Sequence, residues 1–292
     1  MSDPSATLAS LLRASTIQDH DEVLKLANAA IKASKGKNNL DAYHTRVVAL
    51  LKLDRFDDAL RAIADGGDAL EATCIFEKSY ALYKSGHLQE AQDTLQEGPT
   101  AEAASRSFRH LRAQIAYRAE SFIEASDLYR GLADEQAGLH ADENDIKINL
   151  LATDAQLEWA GLGHRIRESE RQPLRTDLEA FETAYNASCA HIARGELAKA
   201  SVLLKRARDL CEASEDLSAD EKKAELLPIM VQHIYVLSQL GKLSEATALQ
   251  KLVVQSEYVM PISTLPRNHC LTVLLGSQKR LRGQLLRTIK LH

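Results

Sequence analysis

Phe56-Asp57-Asp58-Ala59, Leu88-Gln89-Glu90-Ala91, Phe122-Ile123-Glu124-Ala125, Leu197-Ala198-Lys199-Ala200 and Leu243-Ser244-Glu245-Ala246 share one pattern. A bulky residue opens each, two mostly polar places follow, and an alanine closes it, with Ile123 the departure. Each alanine suits a close crossing of two helices, because a methyl group lets the two backbones approach. Glycine stands just upstream in three of the five, at Gly86, Gly195 and Gly241, where its left-handed conformation ends a helix. Before the turns, apolar residues recur at helical spacing, as in Val47, Val48, Leu50 and Leu51 ahead of Phe56, or Ile115, Ala116 and Tyr117 ahead of Phe122. The local sequence therefore encodes helical hairpins.

Successive alanines lie 32, 34, 75 and 46 residues apart. Two helices per period of about 34 residues is the tetratricopeptide pattern. The 75-residue gap leaves room for one degenerate unit. That unit begins at Asp145-Ile146-Lys147-Ile148-Asn149-Leu150-Leu151, and Gly161, Gly163 and Pro173 interrupt its second helix. A weaker unit precedes the series, running through Leu11, Leu12, Val23, Leu26, Ala27 and Ala30 with Asp19-His20-Asp21 at the turn. The expected fold is all-α, a right-handed superhelical solenoid of about six such hairpins over residues 1–260. Residues 261–292 lose the pattern and read as a basic amphipathic capping helix or tail. Residues 137–145 and 212–225 read as longer solvated connections.

Composition agrees with helix. In 292 residues there are 13 glycines, 6 prolines and 5% aromatics, which disfavours sheet-rich or collagen-like folds. No basic stretch precedes the first apolar residues, and no apolar run approaches the ~20 residues of a membrane span. Cys74, Cys189, Cys211 and Cys270 are too widely spaced for a metal or redox motif, so a reducing, cytoplasmic setting is expected. The net charge of −5 is uneven. Residues 267–292 hold six bases and no acid, which leaves 30 bases against 41 acids in the other 266 residues. Only the C-terminal end suits contact with phosphates, through Arg280, Arg282, Arg287 and Lys290.

Reactive constellations are missing from the sequence. Gly161-Leu162-Gly163 lacks the third glycine of a dinucleotide loop, and no zinc-protease, calcium-loop or nucleophile-elbow motif occurs. Histidines are scattered, and acidic pairs such as Asp57-Asp58 or Glu168 and Glu170 read as solvated. The Asn186-Ala187-Ser188 sequon falls within a helix and is discounted. No catalysis, cofactor or metal is expected.

A stack of hairpins instead offers an extended surface that wraps another polypeptide. On the first helix of each hairpin, periodicity directs His44, Phe76, Tyr80, Tyr83, Gln114, Tyr117, Asn149, Tyr185, Asn186 and Tyr235 toward that surface. Tyrosine combines contact area with a hydroxyl, and an asparagine amide both donates to and accepts from an extended backbone. Replacing Tyr185 and Asn186 with alanine is expected to weaken partner binding with helix content intact. The competing assignment for these side chains is packing within and between repeats.

Phe76-Glu77-Lys78-Ser79-Tyr80-Ala81-Leu82-Tyr83, Lys147-Ile148-Asn149-Leu150, and the run from Tyr185-Asn186-Ala187-Ser188-Cys189-Ala190 to Ala207-Arg208-Asp209-Leu210-Cys211 together resemble the family of the seventy-two-kilodalton subunit of the eukaryotic signal recognition particle. The resemblance spans roughly residues 41–254. It implies a scaffold that holds the C-terminal part of the sixty-eight-kilodalton subunit, in a particle that brings translating ribosomes to the endoplasmic reticulum. The family's lysine-rich, tryptophan-containing RNA segment has no counterpart in these residues, so contact with the particle RNA is expected to be indirect. Two alternatives compete. One is a chaperone-type adaptor clamping an acidic peptide, with Lys52, Lys84 and Arg118 at the groove edge; the other is RNA binding through the basic end.

Overall fold

A computed structural model describes residues 19–34, 39–99, 105–135 and 143–255 of the chain. Among the described residues all regular elements are helical, and no helix is long and apolar enough to cross a membrane. They fall into two compact units divided after Glu120. The first contains α1 (His20–Ala33), α2 (Leu40–Lys52), α3 (Phe56–Asp65), a short α4 (Asp68–Thr73), α5 (Ile75–Ser85), α6 (Leu88–Gln96) and α7 (Arg106–Arg118). The second contains α8 (Phe122–Ala133), α9 (Glu143–Trp159), α10 (Phe181–Ala193), α11 (Leu197–Ala213), α12 (Ala219–Gln239) and α13 (Leu243–Gln255).

The five motifs open α3, α6, α8, α11 and α13, each helix beginning at the bulky residue. Ala59, Ala91, Ala125 and Ala200 are fully buried and Ala246 nearly so, as close helix crossing requires. No side-chain cap starts α3, α6 or α11. The turn itself sets their first residue, through a bond from the residue before the helix to the carbonyl five positions back. Arg55 donates to Leu50 O, His87 to Leu82 O and Glu196 to His191 O, each at 2.9 Å, and Lys242 makes the same bond to Leu237 O before α13. This closure needs a left-handed residue, which Gly86 supplies at φ 89° and Gly195 at φ 76°.

Two turns do without glycine. Asp54 at φ 54° and Glu120 at φ 61° occupy the same place. A Cβ in the left-handed region costs about 1–2 kcal/mol, less for aspartate, while glycine costs roughly 0.5–1 kcal/mol in chain entropy. Glu120→Gly is therefore expected to stabilise by about 0.5–1 kcal/mol, and Asp54→Gly by less. The check is a raised urea midpoint at unchanged slope.

In the first unit α1 packs on α2, α2 on α3 and α5 on α6. One core gathers Val23, Val47, Leu50, Ile63 and Leu70, and a second joins Leu82, Leu95, Phe108, Leu111 and Ile115. In the second unit α9 lies against α8 and α10, followed by the α10–α11, α11–α12 and α12–α13 pairings. The degenerate unit keeps its turn at Gly161 (φ 74°), with Leu162 donating to Leu157 O at 2.8 Å. It then forms only short 3-10 turns at Gly163–Arg165 and Arg175–Asp177. The segment still buries Ile166 and Leu178.

The acidic stretch 212–225 departs from the sequence reading of a solvated loop. Most of it is helix: α11 runs to Ala213 and α12 starts at Ala219, where Ser218 and Glu221 form a reciprocal capping box. Asp220 and Glu221 sit in the first turn of α12, where the helix dipole favours them. The expected 137–145 connection falls within the described residues only from Glu143, already in α9. Leu11, Leu12 and the proposed 261–292 tail lie outside them.

Candidate partner-binding face

On α5, Phe76, Tyr80 and Tyr83 recur at helical spacing and all three are half-buried against the second core. Phe76 meets Phe108 at 6.1 Å between ring centres, and Tyr80 stands edge-on to Phe56 at 6.2 Å. Lys84 lies 5.7 Å from the Phe56 ring and 5.9 Å from that of Tyr80. Arg118 sits over Tyr83 at 4.9 Å and donates from Nη1 to the Tyr83 carbonyl at 3.0 Å. Burial raises the phenol pKa of both tyrosines, with Arg118 opposing the rise at Tyr83. The result is an aromatic cluster whose outer edge carries two cations. On α7, Gln114 and Tyr117 are half-buried, the Gln114 amide lying 3.5 Å from His110 Nε2.

His44, Tyr185 and Asn186 depart from the surface placement that periodicity suggested, at 8%, 5% and 2% exposure. His44 Nε2 bonds Glu77 Oε1 at 2.8 Å, linking α2 to α5. Asn186 Nδ2 donates to Ile148 O at 3.0 Å, tying α10 to α9. The physical reason is that Thr183 through Ile192 are all buried, so α10 has no solvent stripe to carry them. Asn149 on α9 and Tyr235 on α12 remain half-buried, with surface to offer. Arg280, Arg282, Arg287 and Lys290 lie outside the described residues.

An ion network that the sequence reading missed fixes segment 163–178. Arg130 reaches Asp154 at 2.6 Å and Glu170 at 2.9 Å, and also bonds Ser126. Arg171 and Arg194 share Glu158, at 3.2 and 3.0 Å, and Arg167 pairs with Asp134 at 2.7 Å. Glu170 is thus an internal ligand of Arg130, and Asp58 is held by Arg55 and Arg61, so neither is simply solvated. Burial raises Asp154 to about 6 against the opposing pull of Arg130. Leu151, Ile166, Pro173, Ala187 and Arg194 line a small cleft beside this network, with about 270 Å³ of space including its open mouth. Ion partners 13 to 40 residues apart leave no local motif by which to find them.

Residues 16–156 match the family model SRP_TPR_like, a TPR-like repeat. The chain is 30% identical to "Signal recognition particle subunit SRP72" of Caenorhabditis elegans over 263 residues, 87% of this chain and 39% of the relative. It is 27% identical to the Homo sapiens SRP72 over 242 residues, covering 81% of this chain and 34% of the relative. The chain thus spans about two fifths or less of these relatives. Among solved structures, the apo form of the quorum sensor NprR from B. thuringiensis superposes with a TM-score of 0.51 at 15% identity, covering 86% of each chain. That likeness concerns the fold alone.

Proposed function

We propose, from the SRP72-type N-terminal TPR-like region that this chain carries, that it is a non-catalytic scaffold subunit of a signal recognition particle. In this reading it works in the cytoplasm and holds the C-terminal part of the sixty-eight-kilodalton subunit, within a particle that directs translating ribosomes to the endoplasmic reticulum. The observation that carries the proposal is similarity to SRP72 over 87% of the chain. The half-buried aromatic cluster on α5 supports it, since rigid rings with accessible edges suit a polypeptide partner. Asn149 and Tyr235 supply the corresponding surface in the second unit.

The acidic-peptide clamp has less support. It needs several cations converging on open space, whereas Lys84 and Arg118 rest over aromatic rings. The test is direct titration of the full chain with the C-terminal part of the sixty-eight-kilodalton subunit. Saturable binding is expected, weakened about tenfold by the Asn149→Ala, Tyr235→Ala double variant with circular dichroism unchanged. Absence of binding by the wild-type chain overturns the reading. Retention of RNA by the chain without that partner, lost on deleting residues 267–292, would transfer the function to the basic end.

A further inference from the structure

The junction of α4 and α5 brings three chemically different donors to one point. His44 Nε2, the Cys74 sulfur and a Glu77 carboxylate oxygen all lie within 4.8 Å of one another. His44 comes from α2, the first helix of one hairpin; Cys74 and Glu77 come from the start of α5, the first helix of the next. The Cys74 backbone is fixed from both sides, its N–H donating to Leu70 O at 2.9 Å and its carbonyl accepting from Lys78 N at 2.8 Å. Cys74 is fully buried, while the Glu77 side chain keeps 17% exposure and gives a path to solvent.

We propose that His44, Cys74 and Glu77 form a zinc site that cross-braces these two repeats. Imidazole, thiolate and carboxylate are the three ligand types that zinc accepts, and its lack of geometric preference tolerates a mixed set. Tetrahedral zinc sets its N, O and S donors about 3.3–3.6 Å apart. The His44–Glu77 pair at 2.8 Å opens slightly to admit the ion, and the cysteine closes in by at most about 1.3 Å. His44 binds through Nε2 once the proton it shares with Glu77 has moved to Nδ1 or left to the buffer, the Cys74 thiol proton also leaves to the buffer, and water takes the fourth position on the Glu77 side. Cys74 and Glu77 are neighbours in sequence, but His44 stands 30 residues before Cys74, so only the fold brings the three together.

The test loads the full chain, purified with a non-thiol reductant, with zinc or cobalt ions alone. One equivalent of zinc is expected to bind and to raise Tm by roughly 5–10 °C at a hundredfold excess over Kd. Cobalt should give a thiolate charge-transfer band, and X-ray absorption of the zinc form should show one sulfur at about 2.3 Å with nitrogen and oxygen neighbours. Cys74→Ser, close in shape, should abolish the charge-transfer band, and Cys74→Ser and Glu77→Gln should each weaken binding at least tenfold. No stoichiometric binding, a zinc shell without sulfur, or wild-type affinity in the folded Cys74→Ser protein each overturns the site. The absorption measurement needs no variant, so a failure of Cys74→Ser to fold leaves the proposal open to refutation.

Discussion

Arg130→Met is expected to destabilise the second unit by about 3–5 kcal/mol at neutral pH, because it removes the shared partner of Asp154, Glu170 and Ser126, of which the charge of Asp154 accounts for the pH-dependent part. The side chains of Arg130 and Asp154 are 9% and 6% exposed, and Arg130 also neutralises Glu170. The sign of the pH dependence follows from Asp154. Its pKa in the folded chain, about 6, lies above the unfolded value, because burial outweighs the attraction of Arg130. Its contribution to stability is therefore complete below about pH 4 and is lost as pH rises through 6. Removing Arg130 raises this pKa further, so the deficit of the variant should be largest above pH 7 and shrink toward pH 4.5. Urea unfolding of both proteins at the two pH values measures the difference, in which groups not coupled to Arg130 cancel. Coupling Arg130→Met with Asp154→Leu should recover most of the loss. A deficit independent of pH would place the role of Arg130 in packing rather than charge.

That network marks the limit of what the sequence disclosed. The turn and the alanine lie within a few residues of each other, so the starts of α3, α6, α8, α11 and α13 were legible to the residue. In the degenerate unit the sequence reads Gly161 as a break within the second helix, whereas it forms the turn itself at φ 74°; Gly163 and Pro173 accompany the short 3-10 turns that follow. The candidate face was less legible. Assigning it assumed that a first helix keeps one uncovered side. α10 violates that assumption, being buried through ten successive residues, and Tyr185 and Asn186 go inside with it. Such a helix has almost no apolar periodicity to read. His44 was misplaced for another reason, since only tertiary structure shows that Glu77 waits across the next repeat.

Ala200→Leu should cost about 3 kcal/mol, the upper end for overpacking a close helix contact. Ala200, Leu204, Ala207 and Cys211 form one fully buried stripe along α11, which packs on both α10 and α12. Ala200 is fully buried where α11 crosses its neighbours, so three added carbons should push α10 and α11 apart and weaken every contact of the stripe with distance. Two residues along the same helix, Val202 is 69% exposed, and Val202→Leu should change stability by less than about 0.5 kcal/mol. Leucine has the better helix propensity of the two, so any loss specific to Ala200 cannot come from propensity. Because repeats are stabilised by their neighbours, the disturbance should spread along the stack rather than stay at one turn. Hydrogen exchange should show lost protection in α10, α11 and α12 together. Equal effects of Ala200→Leu and Val202→Leu would mean that the recurring alanine is not the contact that sets helix spacing.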